Sequence, residues 1–111
     1  MAYDEKLAER VRDLLAHDAE VTERRMFGGL AFLVRGHMGV VVSRQGGLMV
    51  RAEADHADRL IATTSARPME MRGRPMRGWV RVDAGAVARR PQLEKWVTIG
   101  VGCARARPPR A

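Results

Sequence analysis

The sequence predicts an α+β fold, an antiparallel sheet with helices, in the order α, three or four strands, α, two strands, α. Three observations carry this expectation. Residues 3–15 place their apolar side chains at helical spacing. From residue 21 the rhythm changes to short apolar runs bounded by glycine, the pattern of strands joined by tight hairpins. Helical composition then returns over residues 53–64 and again after Pro91, with a second pair of short strands between. An antiparallel meander with helices on one face is the economical way to bury that pattern.

Tyr3, Leu7, Val11, Leu14 and Leu15 fall at i, i+4, i+8, i+11 and i+12, one face of a helix placed over residues 4–18. Asp4 suits its cap, and Asp4 and Glu5 suit the positive end of its dipole. Strands are expected at residues 24–27, 30–34, 38–42 and 48–50, separated by Gly28-Gly29, Arg35-Gly36-His37 and residues 43–47. The segment around residues 21–27 is the ambiguous one. Residues 30–34 and 40–42 are nearly all apolar, as in central strands covered on both faces. In the second helix Ala54, Ala57, Leu60 and Ile61 face inward and Asp55, Asp58 and Arg59 outward. Met69 and Met71 then alternate with Glu70 and Arg72, Gly73-Arg74-Pro75 reads as a turn, and residues 79–82 as a strand. The last helix starts near Pro91, a residue suited to a first turn, and runs through Leu93, Trp96, Val97 and Val101. Residues 1–104 are expected to form one domain and residues 105–111 a basic, frayed tail.

A chain of 111 residues suits a single domain, since domains most often run to about 100–150 residues. The one cysteine, Cys103, excludes an internal disulfide framework and makes a reducing cytoplasm the expected compartment. Residues 1–6 are charged from the start and show no signal peptide pattern. The longest uncharged stretches, residues 26–34 and 96–104, fall well short of the about 20 apolar residues of a membrane span, so no membrane role is expected.

No catalytic residue, metal site or cofactor emerges. His17, His37 and His56 do not stand at metal-ligand spacing from one another, from Cys103 or from paired acids. Cys103 reads as a small buried thiol, with no base nearby to activate it. Gly100-Val101-Gly102 resembles the start of a dinucleotide loop, but only six residues remain after Arg105, too few for the following helix. Its alternative is a helix whose glycines permit close packing, each costing about 1 kcal/mol relative to alanine. Met26-Phe27-Gly28-Gly29 lacks the following helix and Lys-Ser/Thr of a P-loop, and reads as a strand end and a turn.

Charge is unevenly spread. Residues 1–23 carry seven acids and three bases, net −4, whereas residues 24–111 carry six acids and seventeen bases, net +11. Such a body attracts phosphate or an acidic protein partner, or is simply a soluble arginine-rich surface. The densest stretch is residues 67–81, where Arg67, Arg72, Arg74, Arg77 and Arg81 interleave with Met69, Met71, Met76 and Trp79. These five arginines are the candidate nucleic-acid contacts, on a hairpin able to lie in a groove or along a phosphate backbone. Otherwise they are the outward positions of a half-buried hairpin.

Arg25-Met26-Phe27-Gly28-Gly29-Leu30-Ala31-Phe32, Gly36-His37-Met38, Leu48-Met49-Val50-Arg51 and Gly73-Arg74-Pro75-Met76-Arg77-Gly78-Trp79-Val80 together resemble the N-terminal domain of the TfoX/Sxy competence regulators. The resemblance covers about residues 3–104 and is nearest to small stand-alone bacterial proteins made of that domain. It implies an α-β(3)-α-β(2)-α layout similar to secretion-chaperone-like folds. It also implies a non-enzymatic regulatory domain, since the full-length regulators are associated with transcription of DNA-uptake genes and carry a second, C-terminal domain. The motif positions Met26, Phe27, Gly28, Gly29, Gly73, Pro75, Met76, Gly78 and Trp79 are then mainly structural, glycines for turns and Met and Trp for core. Two roles follow: nucleic-acid contact in transcription regulation, or a protein-interaction module, homodimer included, offering a sheet surface or strand edge.

Overall fold

The computed structural model describes residues 3–108. In chain order the elements are α1 (Glu5–Leu14), β1 (Val21–Met26), β2 (Gly29–Val34), β3 (His37–Val42), β4 (Leu48–Arg51), α2 (Ala54–Thr63), β5 (Arg67–Met71), β6 (Arg74–Val82) and α3 (Arg90–Arg105), with a 3₁₀ turn at Ala84–Val87. The α+β class and the element order are as expected, and the ambiguous segment is a full strand.

The strands form one antiparallel sheet in the order β1-β2-β3-β4-β6-β5. Chain neighbours pair throughout except at one point: after β4 the chain crosses through α2 to the far edge as β5, and β6 returns between them. Both edges are poor templates for a further strand. On β1 the middle residues Thr22, Glu23, Arg24 and Arg25 are exposed, and β5 carries exposed Arg67, Pro68 and Glu70.

All three helices cover the same face. Leu7, Ala8 and Val11 of α1, Ala57 and Leu60 of α2, and Leu93, Trp96, Val97, Val101 and Ala104 of α3 share a core with Phe32, Val40, Leu48, Val50, Val80 and Val82 of the sheet. The closest approach is between α3 and β3. A methyl group on Gly100 would lie 2.4 Å from the Gly39 carbonyl oxygen and 2.7 Å from Val40 Cγ2, so helix backbone rests directly on strand backbone. Gly102, two residues on, meets nothing within 4 Å and faces outward. Of the two helical glycines, one therefore makes a seam and the other does not.

Three boundaries differ from expectation. The first helix ends at Leu14 rather than residue 18. Asp18 instead closes a turn, its side chain accepting from the Glu20 N–H at 3.1 Å and its carbonyl from the Val21 N–H at 3.2 Å, which starts β1 early and leaves His17 beyond the helix. An acid there also opposes the helix dipole. The second correction concerns Gly73-Arg74-Pro75. The turn is Arg72-Gly73, and Arg74 and Pro75 belong to β6. Third, Arg105 ends α3, and its guanidinium bonds Asp18 and, at 2.6 Å, Glu20. The segment from there to Pro108 lies against the body, with the Arg105 carbonyl accepting from Arg35 and the Pro108 carbonyl 2.6 Å from His37 Nε2. Residues 109–111 of the expected tail lie outside the described residues.

Candidate functional site

The face of the sheet without helices is apolar. Ala31, Leu33, Val41, Met49, Met69 and Trp79 form a second buried cluster there, with Met26, Met38, Met71 and Met76 packed half-buried around it. Six of the seven methionines lie on this one face. The cross-strand pairs explain how: Ala31 opposes Val41, Val41 opposes Met49 and Leu33 opposes Met38. Directly opposed residues share a face, so strands that alternate in and out deliver one row to each core.

A cleft of about 80 Å³ opens in this face, lined by apolar side chains alone: Phe27, Met38, Val41 and Met49 on one side, and Met69, Met71, Met76 and Trp79 of the last hairpin on the other. Laid flat, six strands at about 4.8 Å spacing would hold β1 and β5 some 24 Å apart. The turn after β1 and the β5–β6 hairpin share one cleft, so the sheet curls toward its helix-free side. Met69, Met76 and Trp79 also back a larger hollow of about 280 Å³ between α2 and the hairpin, with Asp58 and Arg77 3.6 Å apart among its lining residues.

Phe27 is the exception on this face. It is 59% exposed, the one large hydrophobic side chain so exposed among the described residues. It also has φ of 56°, in the left-handed region. Three of the hairpins turn through two residues of positive φ, Phe27-Gly28, Arg35-Gly36 and Arg72-Gly73, as the right-handed twist of the flanking strands requires. Asn, Asp or Gly fills the first position at least cost, whereas a bulky residue there is strained by about 1 kcal/mol or more. Arg44 lies over this turn: a methyl group on Gly28 would stand 2.7 Å from its Cδ.

The five hairpin arginines do not converge. Arg67 and Arg81 oppose each other at one end of the hairpin. Arg67 pairs with Asp83 at 2.6 Å, while Arg81 donates to Ser43 Oγ at 3.3 Å and to the Gly46 carbonyl at 3.1 Å, bracing the loop after β3. Arg77 faces Asp58. Arg72 and Arg74 stand at the tip, seven residues or about 23 Å of strand from Arg81. Neither has a carboxylate partner among the described residues, and the same holds for Arg24 and Arg44, which sequence reasoning passed over. Arg24 opposes Ala31 on the helix-free face, and alternation along β1 was the signal that pointed to it.

Elsewhere some charges are paired locally. Arg12 bonds Glu23 through two nitrogens at 2.6 and 2.8 Å, which holds the Glu23 carboxyl below the ordinary glutamate range and raises Arg12. Cys103 is half-buried and reaches Glu53 Oε1 at 3.6 Å. Burial first, and then the Glu53 charge, push its thiol up, away from the thiolate a nucleophile needs. Among the described residues no three His, Cys, Asp or Glu side chains gather as metal ligands, and no helix is long and apolar enough to cross a membrane.

No curated protein matches the chain. A family model does, the TfoX N-terminal domain, over residues 13–104, from the last two residues of α1 to one residue short of the end of α3. Three helices on a six-stranded antiparallel sheet are consistent with that domain's fold, which is not known as an enzyme. By this match over most of its length, the chain belongs to the TfoX N-terminal domain family.

Proposed function

We propose that the chain is a non-enzymatic regulatory domain of the cytoplasm that works by binding another protein on the helix-free face of its sheet. One observation carries this: Phe27, exposed at the rim of an apolar cleft, occupies a turn position that a smaller polar residue would fill at lower cost. Strain kept at an exposed aromatic is a mark of use, because folding alone would discard it. Methionines around it supply a soft, adaptable surface of the kind found at binding faces. The blunted edges of β1 and β5 favour this face over strand addition as the point of contact.

Phe27→Asn tests it. Asparagine suits the left-handed turn, so thermal melting should place the variant within about 1 kcal/mol of the parent. Peptides selected from a displayed random library against the parent should lose binding to the variant. Selected peptides that bind both equally would overturn the proposal.

A second reading, nucleic-acid contact, is favoured by Arg72 and Arg74 alone of the five hairpin candidates, since they project at a hairpin tip without described acid partners. Fluorescence anisotropy with short duplex DNA should then show binding whose salt slope falls by about two units in Arg72→Asn/Arg74→Gln. No binding at low salt removes this reading.

A further inference from the structure

We propose that the occupant of this face is an acidic segment of a partner protein, seating one large apolar side chain in the methionine cleft while its carboxylates meet Arg44, Arg72 and Arg74. The inference rests on the protein-binding reading above and names the chemistry of the partner.

The size of the cleft sets the first half. At about 80 Å³ it is far below the roughly 300–1,000 Å³ of a small-molecule site, and fits the end of one side chain. Its floor has no polar lining residue, so it offers no partner to a sugar or a phosphate. It rewards an apolar anchor, and Phe27 stands beside it to close over that anchor.

Charge sets the second half. Six arginines are neutralised: Arg12 by Glu23, Arg35 by Glu20, Arg67 by Asp83, Arg77 by Asp58, Arg105 by Asp18 and Glu20, Arg107 by Glu53. Arg10, Arg25, Arg59, Arg89 and Arg90 also lack a carboxylate partner among the described residues, so what sets the cleft apart is unpaired arginines beside an apolar lining. Arg44 lies over the Phe27-Gly28 turn, Arg72 follows Met71, and Arg74 opposes Met71 across the hairpin. No carboxylate lines the cleft, and Glu70 lies between Met69 and Met71 on the alternate side of β5. The face is thus an apolar centre with a cationic rim. Its complement is a segment with an apolar anchor and flanking acids, drawn in by long-range attraction and held by burial.

The test uses the full chain with its methionine methyl groups labelled for NMR, and acidic, neutral and basic versions of one peptide with a central Phe-x-x-Leu. The acidic peptide should shift the Met38, Met71 and Met76 methyl signals, and bind about tenfold more weakly to Arg72→Asn/Arg74→Gln. Asparagine suits the turn at residue 72, so the fold is kept. Equal binding of the neutral peptide, or no loss in the double variant, overturns the acidic partner while leaving the face in place. No shift with any of the three peptides overturns both. Shifts that grow with protein concentration alone assign the face to a second copy of the chain, and shifts with duplex DNA but not the acidic peptide assign it to nucleic acid; either overturns the proposal.

Discussion

Replacing Gly100 with valine is expected to cost more than about 4 kcal/mol, a large share of the about 5–15 kcal/mol that holds a whole domain folded. The added atoms would lie where the Gly39 carbonyl oxygen and Val40 Cγ2 already are. Backbone has no rotamer to change, so α3 must lift off β3. Lifting it opens the packing of Trp96, Val97 and Val101 on the sheet. The control is two residues away. Gly102 meets nothing within 4 Å, and Gly102→Ala should raise stability by about 0.5–1 kcal/mol through helix propensity alone. Urea midpoints measure both. A Gly100→Val protein within about 1 kcal/mol of the parent would mean that the seam is looser than its geometry.

Trp96→Ala carries the next largest effect, about 3–5 kcal/mol, because its ring is enclosed between α3 and the sheet and nothing there can collapse into the space. Trp79 is nearly as buried, 8% exposed against 4%, and has Arg51 5.5 Å from its ring centroid, yet its loss should cost less, about 2 kcal/mol. Its neighbours Met69, Met71 and Met76 are flexible enough to fill much of the gap. Denaturation of the two variants side by side settles the order. If Trp79→Ala proves as costly as Trp96→Ala, the helix-free cluster is a second, rigid folding core, which counts against the binding role proposed for it.

Much of the architecture was legible because it depends on neighbours in sequence. The apolar run of β2, the Gly-bounded hairpins and the amphipathic stripe of α1 each declare themselves within a few residues. The end of α1 was not legible, since no glycine or proline marks it and the chain leaves through a backbone turn in which the Asp18 N–H donates to the Leu15 carbonyl. The placement of β6 between β4 and β5 was also hidden, as nothing local records which strand a returning chain will join. The site suffered most from this. Phe27 and Met71 stand far apart in sequence and meet only through the curl of the sheet. The hairpin arginines looked like one patch because their partners, Asp58, Asp83 and the Ser43–Gly46 loop, belong to other elements. Arg24 and Arg44 stood out less in sequence, and neither meets an acid among the described residues.

The paired-glycine turns have an evolutionary consequence. Phe27 and Arg72 occupy the same station in two different hairpins, the first residue of a two-residue turn whose second is glycine. That station is fixed in backbone shape by the glycine and by strand twist, while its side chain is tied to little of the core. Single substitutions there change what the protein presents to its surroundings at a cost of about 1 kcal/mol either way. Seams such as Gly39 against Gly100 allow no such freedom. A lineage can thus change the side chains shown at these turn tips with the scaffold beneath them held constant.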